Sequence, residues 1–252
     1  CTERLTNKPA QDAASTFLKK TFSHVGKNKE FAKILTNFDH PYGCKRPPID
    51  TNYFETYNRD NVHLVDIKKD PIIEIDKTGI KTERNYFKLD TIVFATGYDA
   101  MTGTLINLNI TGENSLNLKD YWNEGPKTYL GLQIAGFPNM FTITGPGSPS
   151  VLTNMPTAIE QHVEWITNCI SFMIKNDFKK ITTSEKDSVE WGKQVKEAAD
   201  KTLLPTVKHS WYLGANIPNK PRVFMPYAGG LPTYTKICEN IKNNNYKGFL
   251  FS

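Results

Sequence analysis

Apolar residues recur at helical spacing between positions 9 and 38. Ala10, Ala13, Ala14, Phe17 and Leu18 share one side, and Phe31, Ile34, Leu35 and Phe38 resume the pattern after a break at Gly26. Pro41, Gly43, Pro47 and Pro48 then forbid a helix and predict an extended connection. Residues 62–66 alternate like a strand. Residues 72–75 and those from Ile80 onward flank Asp76-Lys77-Thr78-Gly79, the signature of a hairpin turn, and residues 85–89 start a further strand. The run 91–95 (Thr-Ile-Val-Phe-Ala) is nearly continuous in apolar and β-branched residues, which predicts a parallel strand buried on both faces, stopping at Thr96-Gly97.

After a polar, loop-rich excursion over 102–127, residues 139–144 read as a second short strand that also ends in glycine, Gly145-Pro146-Gly147. Pro156 suits a first helical turn that Thr153 or Asn154 can cap. Beyond it Ile159, Val163, Ile166, Ile170 and Met173 predict one buried helical stripe. Another helix is expected over 185–201 with Val189, Val195, Ala198 and Ala199 inward. The tail from 208 reads as ordered loops with one short helix over 234–241.

Composition narrows the class. In 252 residues, 38% hydrophobic and 23% charged, the composition describes a globular protein with a real core and argues against a disordered one. The net charge of +5 is spread over separated lysines, which disfavours nucleic acid and leaves room for an anionic small cofactor. The four cysteines, Cys1, Cys44, Cys169 and Cys238, show neither Cys-x-x-Cys spacing nor a metal pattern, so a reducing, cytoplasmic setting is expected. Lys45 and Arg46 beside Cys44 would lower its pKa, although a buried, inert thiol is the better expectation. No run approaches the ~20 apolar residues of a membrane span. The chain starts at Cys1 and inside a helical pattern, so a longer parent is expected.

Candidate chemistry gathers at the strand ends. A small residue followed by glycine, as at Thr96-Gly97, lets a flat ligand approach the backbone, and ligands of open α/β sheets sit at such carboxyl ends. An ordinary strand-to-loop junction accounts for Thr96-Gly97 equally well. A helix N-terminus after residues 145–154 favours an anion such as a reduced flavin ring, against an equally weighted strand–loop–helix that binds nothing. Arg46 supplies a charge that never titrates, although most Lys-Arg pairs are solvated surface. Trp211, in the loop 210–218, offers an indole donor on a segment that Gly214 lets move; the alternative is simple packing.

Taken in order, several motifs resemble the Baeyer–Villiger monooxygenases of the cyclohexanone-monooxygenase-like branch. They are Gly43-Cys44-Lys45-Arg46-Pro47-Pro48-Ile49-Asp50, residues 53–62, Phe94-Ala95-Thr96-Gly97-Tyr98-Asp99, Phe137-Pro138-Asn139-Met140-Phe141, residues 145–155 and residues 210–221. The resemblance implies an α/β flavoprotein with FAD and NADP Rossmann-like domains, of which this chain resembles the C-terminal half. Residues 1–45 would end a helical segment, 46–97 close the NADP domain and 98–252 close the FAD domain. It implies that NADPH reduces the flavin and that O2 then furnishes the peroxide that attacks a ketone, giving an ester or lactone. By position, Arg46 resembles the arginine that stabilises the anionic species, Lys45 a neighbour of the nicotinamide cofactor, and Trp211 a mobile-loop tryptophan bonding NADP. Thr96, Gly97 and Asp99 match the junction of the dinucleotide domains. Gly145 opens the segment 145–154 whose backbone would wrap a flavin ring, and Ser150, Leu152, Thr153, Asn154 and Met155 match the loop lining the flavin and substrate pocket. The family's two Gly-x-Gly-x-x-Gly loops and its Phe-x-Gly-x-x-x-His-x-x-x-Trp fingerprint are absent from these 252 residues. Alone, the chain is therefore expected to bind cofactor poorly and to need the N-terminal half of the same enzyme. The rivals are a sulfide or amine monooxygenase and a non-catalytic binding module. No metal site is expected.

Overall fold

The computed structural model describes residues 6–25, 28–37 and 40–252. Cys1, the break at Gly26 and the stripe residue Phe38 lie outside them. The chain divides into two compact units, Cys1–Gly97 and Tyr98–Ser252.

In the first unit, α1 (Lys8–Val25) and α2 (Lys29–Leu35) follow the helical periodicity. Asn28 caps α2, its side chain accepting from the N–H groups of Glu30 (2.9 Å) and Phe31 (3.2 Å). The interior position of α1 is Gln11 rather than Phe17, which is 68% exposed. Gln11 donates to the Tyr42 carbonyl at 2.7 Å and accepts from Ser15 at 3.2 Å, which binds the helix to the proline-rich connection. The short α3 (Tyr53–Thr56) stacks Phe54 on Phe22 at 4.2 Å between ring centroids.

Strands β1 (Ile72–Ile75), β2 (Gly79–Thr82) and β3 (Tyr86–Lys88) form an antiparallel meander, with Ile75 opposite Ile80 and Ile80 opposite Phe87. The Asp76 carboxylate accepts from the N–H groups of Thr78 (2.7 Å) and Gly79 (3.0 Å), closing the expected hairpin. Two expected strands are absent. Residues 62–66 pair with nothing in a ladder, and residues 91–95 are irregular, with Val93 84% and Phe94 68% exposed. The sequence of 91–95 suits a doubly covered parallel strand, but the described sheets are antiparallel and give it no neighbouring strand for its backbone groups.

In the second unit, α4 (Gly103–Asn107) and α5 (Leu118–Tyr121) build a small core of Leu118, Trp122, Ile134 and Phe137, so the 102–127 excursion is folded. Residues 139–144 are not a strand. Asn139 and Thr144 sit at φ 57° and 54°, which extended backbone does not tolerate, and only Phe141 makes a bridge, to Gln133.

Asn154 caps α6 (Met155–Lys175), which buries Ala158, His162, Trp165, Cys169 and Met173. Of the expected stripe, Met173 is buried and Ile166 packs against the core, but the rest of the buried face lies one position earlier. Ile159, Val163 and Ile170 are 38%, 43% and 42% exposed, because Trp165 turns inward and donates to the Cys238 carbonyl at 3.0 Å. Strand β4 (Ile181–Thr183), helices α7 (Glu185–Asp200) and α8 (Leu231–Asn243), and β5 (Phe249–Phe251) complete the unit. β4 and β5 pair antiparallel, with Thr182 opposite Leu250. In α7 the inward residues include Trp191, Val195 and Ala199, while Val189 faces outward at 42% exposure. No helix among the described residues is long and apolar enough to cross a membrane.

Candidate functional site

In the second unit the turn 141–145, the loop 150–155, Met101, Leu105 and Trp211 enclose a cavity of about 440 Å³. The 3₁₀ turn Ser150–Leu152 and the N-terminus of α6 deliver Ser150, Val151 and Met155 to it. Gly145 must be glycine here: a Cβ would lie 2.6 Å from Thr142 Oγ1 and 2.7 Å from the Gly131 carbonyl oxygen. Three non-glycine residues on the cavity wall hold positive φ, namely Met101 (69°), Thr144 (54°) and Ser150 (42°). Each such residue costs on the order of 1–3 kcal/mol and persists only where its surroundings enforce it. Ser150 donates to Met101 Sδ at 3.5 Å, and the Thr144 N–H donates to His162 Nδ1 at 2.9 Å.

His162 is not among the residues expected from the sequence. It is fully buried, and desolvation lowers its pKa from 6.5 to about 4, so the imidazole is neutral and accepts at Nδ1. Its place on α6, four residues after Ala158 and three before Trp165, was the available signal. Met101, Leu105, Met140 and Ile143 were missed too, since nothing local marks them as wall residues.

Trp211 is half-buried in the 3₁₀ turn Trp211–Leu213, which Ser210 caps and Gly214 (φ 68°) terminates. That loop is tethered. Lys220 pairs with Asp99 and donates to the Ala100 carbonyl at 3.2 Å, and Asn216 donates to the Tyr98 carbonyl at 3.0 Å. Asp99 is therefore engaged by Lys220 and does not line the cavity. Leu152 and Thr153 are half-buried next to the wall, and exposed Asn154 accepts from Thr157 N–H at 3.3 Å as a helix cap.

The remaining candidates lie in the first unit. Thr96 and Gly97 are exposed, Lys45 is half-buried and Arg46 is exposed. The segment before Arg46 is fixed by the Gln11–Tyr42 bond and by Cys44, which is fully buried and donates its N–H to the Pro41 carbonyl at 3.1 Å. Burial pushes the Cys44 thiol pKa up, which overrides the adjacent cations and makes it inert.

The chain is 39% identical over 245 residues to cyclohexanone 1,2-monooxygenase of Acinetobacter sp, covering 97% of the chain and 44% of that relative. It is 37% identical over 246 residues to a Baeyer–Villiger monooxygenase of Pseudooceanicola batsensis, again 97% of the chain and 44% of the relative. The chain is similar to one part of these Baeyer–Villiger monooxygenases. Its fold agrees: the crystal structure of OTEMO in complex with FAD and NADP superposes with a TM-score of 0.94 at 39% identity, covering 99% of this chain and 46% of that one. The mixed α/β fold is thus that of part of a flavin monooxygenase, and the chain spans less than half the length of the Baeyer–Villiger relatives it matches. No family model matches the sequence.

Proposed function

We propose that this chain forms the part of an FAD- and NADPH-dependent Baeyer–Villiger monooxygenase that carries the flavin-ring edge and the oxygenation residues, the enzyme inserting one oxygen atom of O2 beside a ketone carbonyl. The cavity at Gly145 and Met155 carries this reading. Its strained wall and its position at the start of α6 suit the close approach of a flat ring. When bound, the flavin would supply the activated oxygen, with reducing equivalents from NADPH.

This chain's residues have separable tasks in that scheme. Val151, Met155 and Met101 exclude water from the ring edge. The N-terminus of α6 contributes partial positive charge toward negative charge developing there. Arg46 would contribute a positive guanidinium charge suited to stabilising negative charge that develops on oxygen during the reaction. Lys45 is assigned as a neighbour of the nicotinamide cofactor, and the Trp211 indole N–H, in the other unit, as a donor to NADP. Thr96, Gly97 and Asp99 mark the junction of the NADP-binding part (46–97) and the FAD-binding part (98–252), after a helical segment (1–45). Ser150, Leu152, Thr153 and Asn154 shape the loop beside the ring, Asn154 through its cap. The cofactor pyrophosphates need glycine-rich loops that these residues lack, so the remaining length of such an enzyme would supply them. A reducing, cytoplasmic setting belongs to the same proposal, as Cys44, Cys169 and Cys238 are buried and unpaired.

The test replaces the corresponding part of the Acinetobacter enzyme with this chain. The hybrid is expected to turn cyclohexanone into lactone with NADPH. Arg46→Ala should lower lactone formation by roughly 10²–10³-fold while NADPH still reduces the flavin. Unchanged lactone formation in Arg46→Ala would remove Arg46 from the chemistry. A hybrid that oxidises a sulfide but no ketone would overturn the ketone assignment.

A further inference from the structure

A second, larger cavity of about 550 Å³ lies in the same unit along α7. Its lining runs from Ser188 in the first turn of the helix to Ala199 in the last, about 16 Å at 1.5 Å per residue. The middle is apolar. Trp191, Val195, Phe224 and Met225 form the wall and are almost wholly buried. Trp191 is fixed by its indole N–H, which donates to the Gly147 carbonyl at 3.0 Å. Ligand pockets of this size combine an apolar body with a few convergent polar groups.

The polar groups here are asymmetric. Ser188 is 1% exposed and its hydroxyl has no hydrogen-bond partner, an arrangement that buried hydroxyls avoid unless something meets them. Lys127 is close to the same end, since it pairs across 3.6 Å with Glu185, in the first turn of α7. Lys193, Lys196 and Arg222 also line the cavity, against Glu124 and Asp200. The lysines form solvent-exposed pairs, Lys127 with Glu185, Lys193 with Glu190 and Lys196 with Asp200, and such pairs are worth little; Lys127 also stands 5.5 Å over the Tyr121 ring. Arg222 donates to the Lys208 carbonyl. Cationic groups thus outnumber carboxylates, and a buried hydroxyl waits at the end of an apolar trough.

We propose that this cavity binds an amphipathic monocarboxylate of medium chain length. Its carboxylate meets Ser188 and Lys127 at the N-terminal end of α7, and its tail lies along Trp191, Val195 and Phe224 toward Ala199. The site is separate from the Gly145 cavity and does not depend on the oxygenation reading.

Calorimetric titration of the 252-residue chain with decanoate, decanol and acetate tests the assignment. Decanoate is expected to bind saturably with one site per chain, decanol about tenfold more weakly for want of the charge, and acetate not at all. Two variants keep the fold out of the outcome. A Cβ at Gly192, on the cavity rim, would meet no atom within 4 Å, so Gly192→Leu should obstruct the trough without lowering the melting temperature. Ser188→Ala removes an unpartnered hydroxyl, so it should leave the melting temperature unchanged or raised while weakening decanoate about tenfold. Absence of saturable decanoate binding overturns the site. Equal binding of decanol overturns the anionic class. Undiminished decanoate binding in both variants places the ligand elsewhere.

Discussion

His162 shows how much of the candidate flavin edge depends on one side chain outside it. Its Nδ1 is the acceptor that holds the strained Thr144 backbone, and it does so only as the neutral imidazole. Burial lowers its pKa from 6.5 to about 4, so between those values the unfolded chain takes up a proton that the folded chain refuses. Unfolding free energy therefore falls as pH drops through that window, by about 3 kcal/mol at full extent. His162→Asn, which keeps an acceptor near the Nδ1 position, should remove this part of the acid sensitivity. His162→Phe should remove it as well, but at a cost of about 1–3 kcal/mol at neutral pH for the unpaired Thr144 N–H. Urea unfolding of both variants from pH 7 to pH 4 is the measurement, and an unaltered pH slope in the asparagine variant would contradict the assignment. Cys169 and Cys238, whose thiol pKa values burial pushes up to about 12, add no titration in that range.

The elements explain what could be read from the chain and what could not. Helices α1, α6, α7 and α8 and the β1–β2 hairpin were legible because their signals are local: periodicity, Asn154 before Pro156, and Asp76 two residues before Thr78. The face of α6 was not legible. Ile159, Val163 and Ile170 have the greater hydropathy, yet the interior took Trp165 and His162, whose hydrogen-bond partners come from residues 238 and 144. The strand expected over 91–95 failed for a related reason, since a ladder partner is not a property of the strand itself. Of the site residues expected from the sequence, Gly145, Ser150, Met155 and Trp211 line one cavity. The wall residues Met101 and Leu105 are drawn in by the folded 102–127 segment, which looked like loop. Asn154 permits a test at this scale. If it acts as a cap, Asn154→Ala should cost about 1 kcal/mol and Asn154→Asp almost nothing, by thermal unfolding. A large loss in the aspartate variant would give Asn154 a role other than capping.

For the whole molecule, the solvent-facing apolar surface matters as much as the core. Ile159, Val163, Ile170 and Ile174 form a stripe along α6, the last 74% exposed, and Val93 and Phe94 stand clear in the other unit. Contiguous apolar faces of this kind drive association. Sedimentation of the chain should show concentration-dependent self-association, which Val163→Asp with Ile170→Asp reduces without lowering the melting temperature. In the hybrid enzyme the same stripe is expected to be covered and the protein to stay monodisperse. On the function proposed above, these residues hold a flavin ring edge without a pyrophosphate cradle. The most direct test is a visible-spectrum titration of the purified, colourless chain with FAD and with lumiflavin, which has the ring alone, followed by desalting. The expected result is the same weak, saturable spectral change for both and loss of both on desalting. FAD retained through desalting while lumiflavin is lost would contradict it, because the chain would then have to hold the pyrophosphate itself.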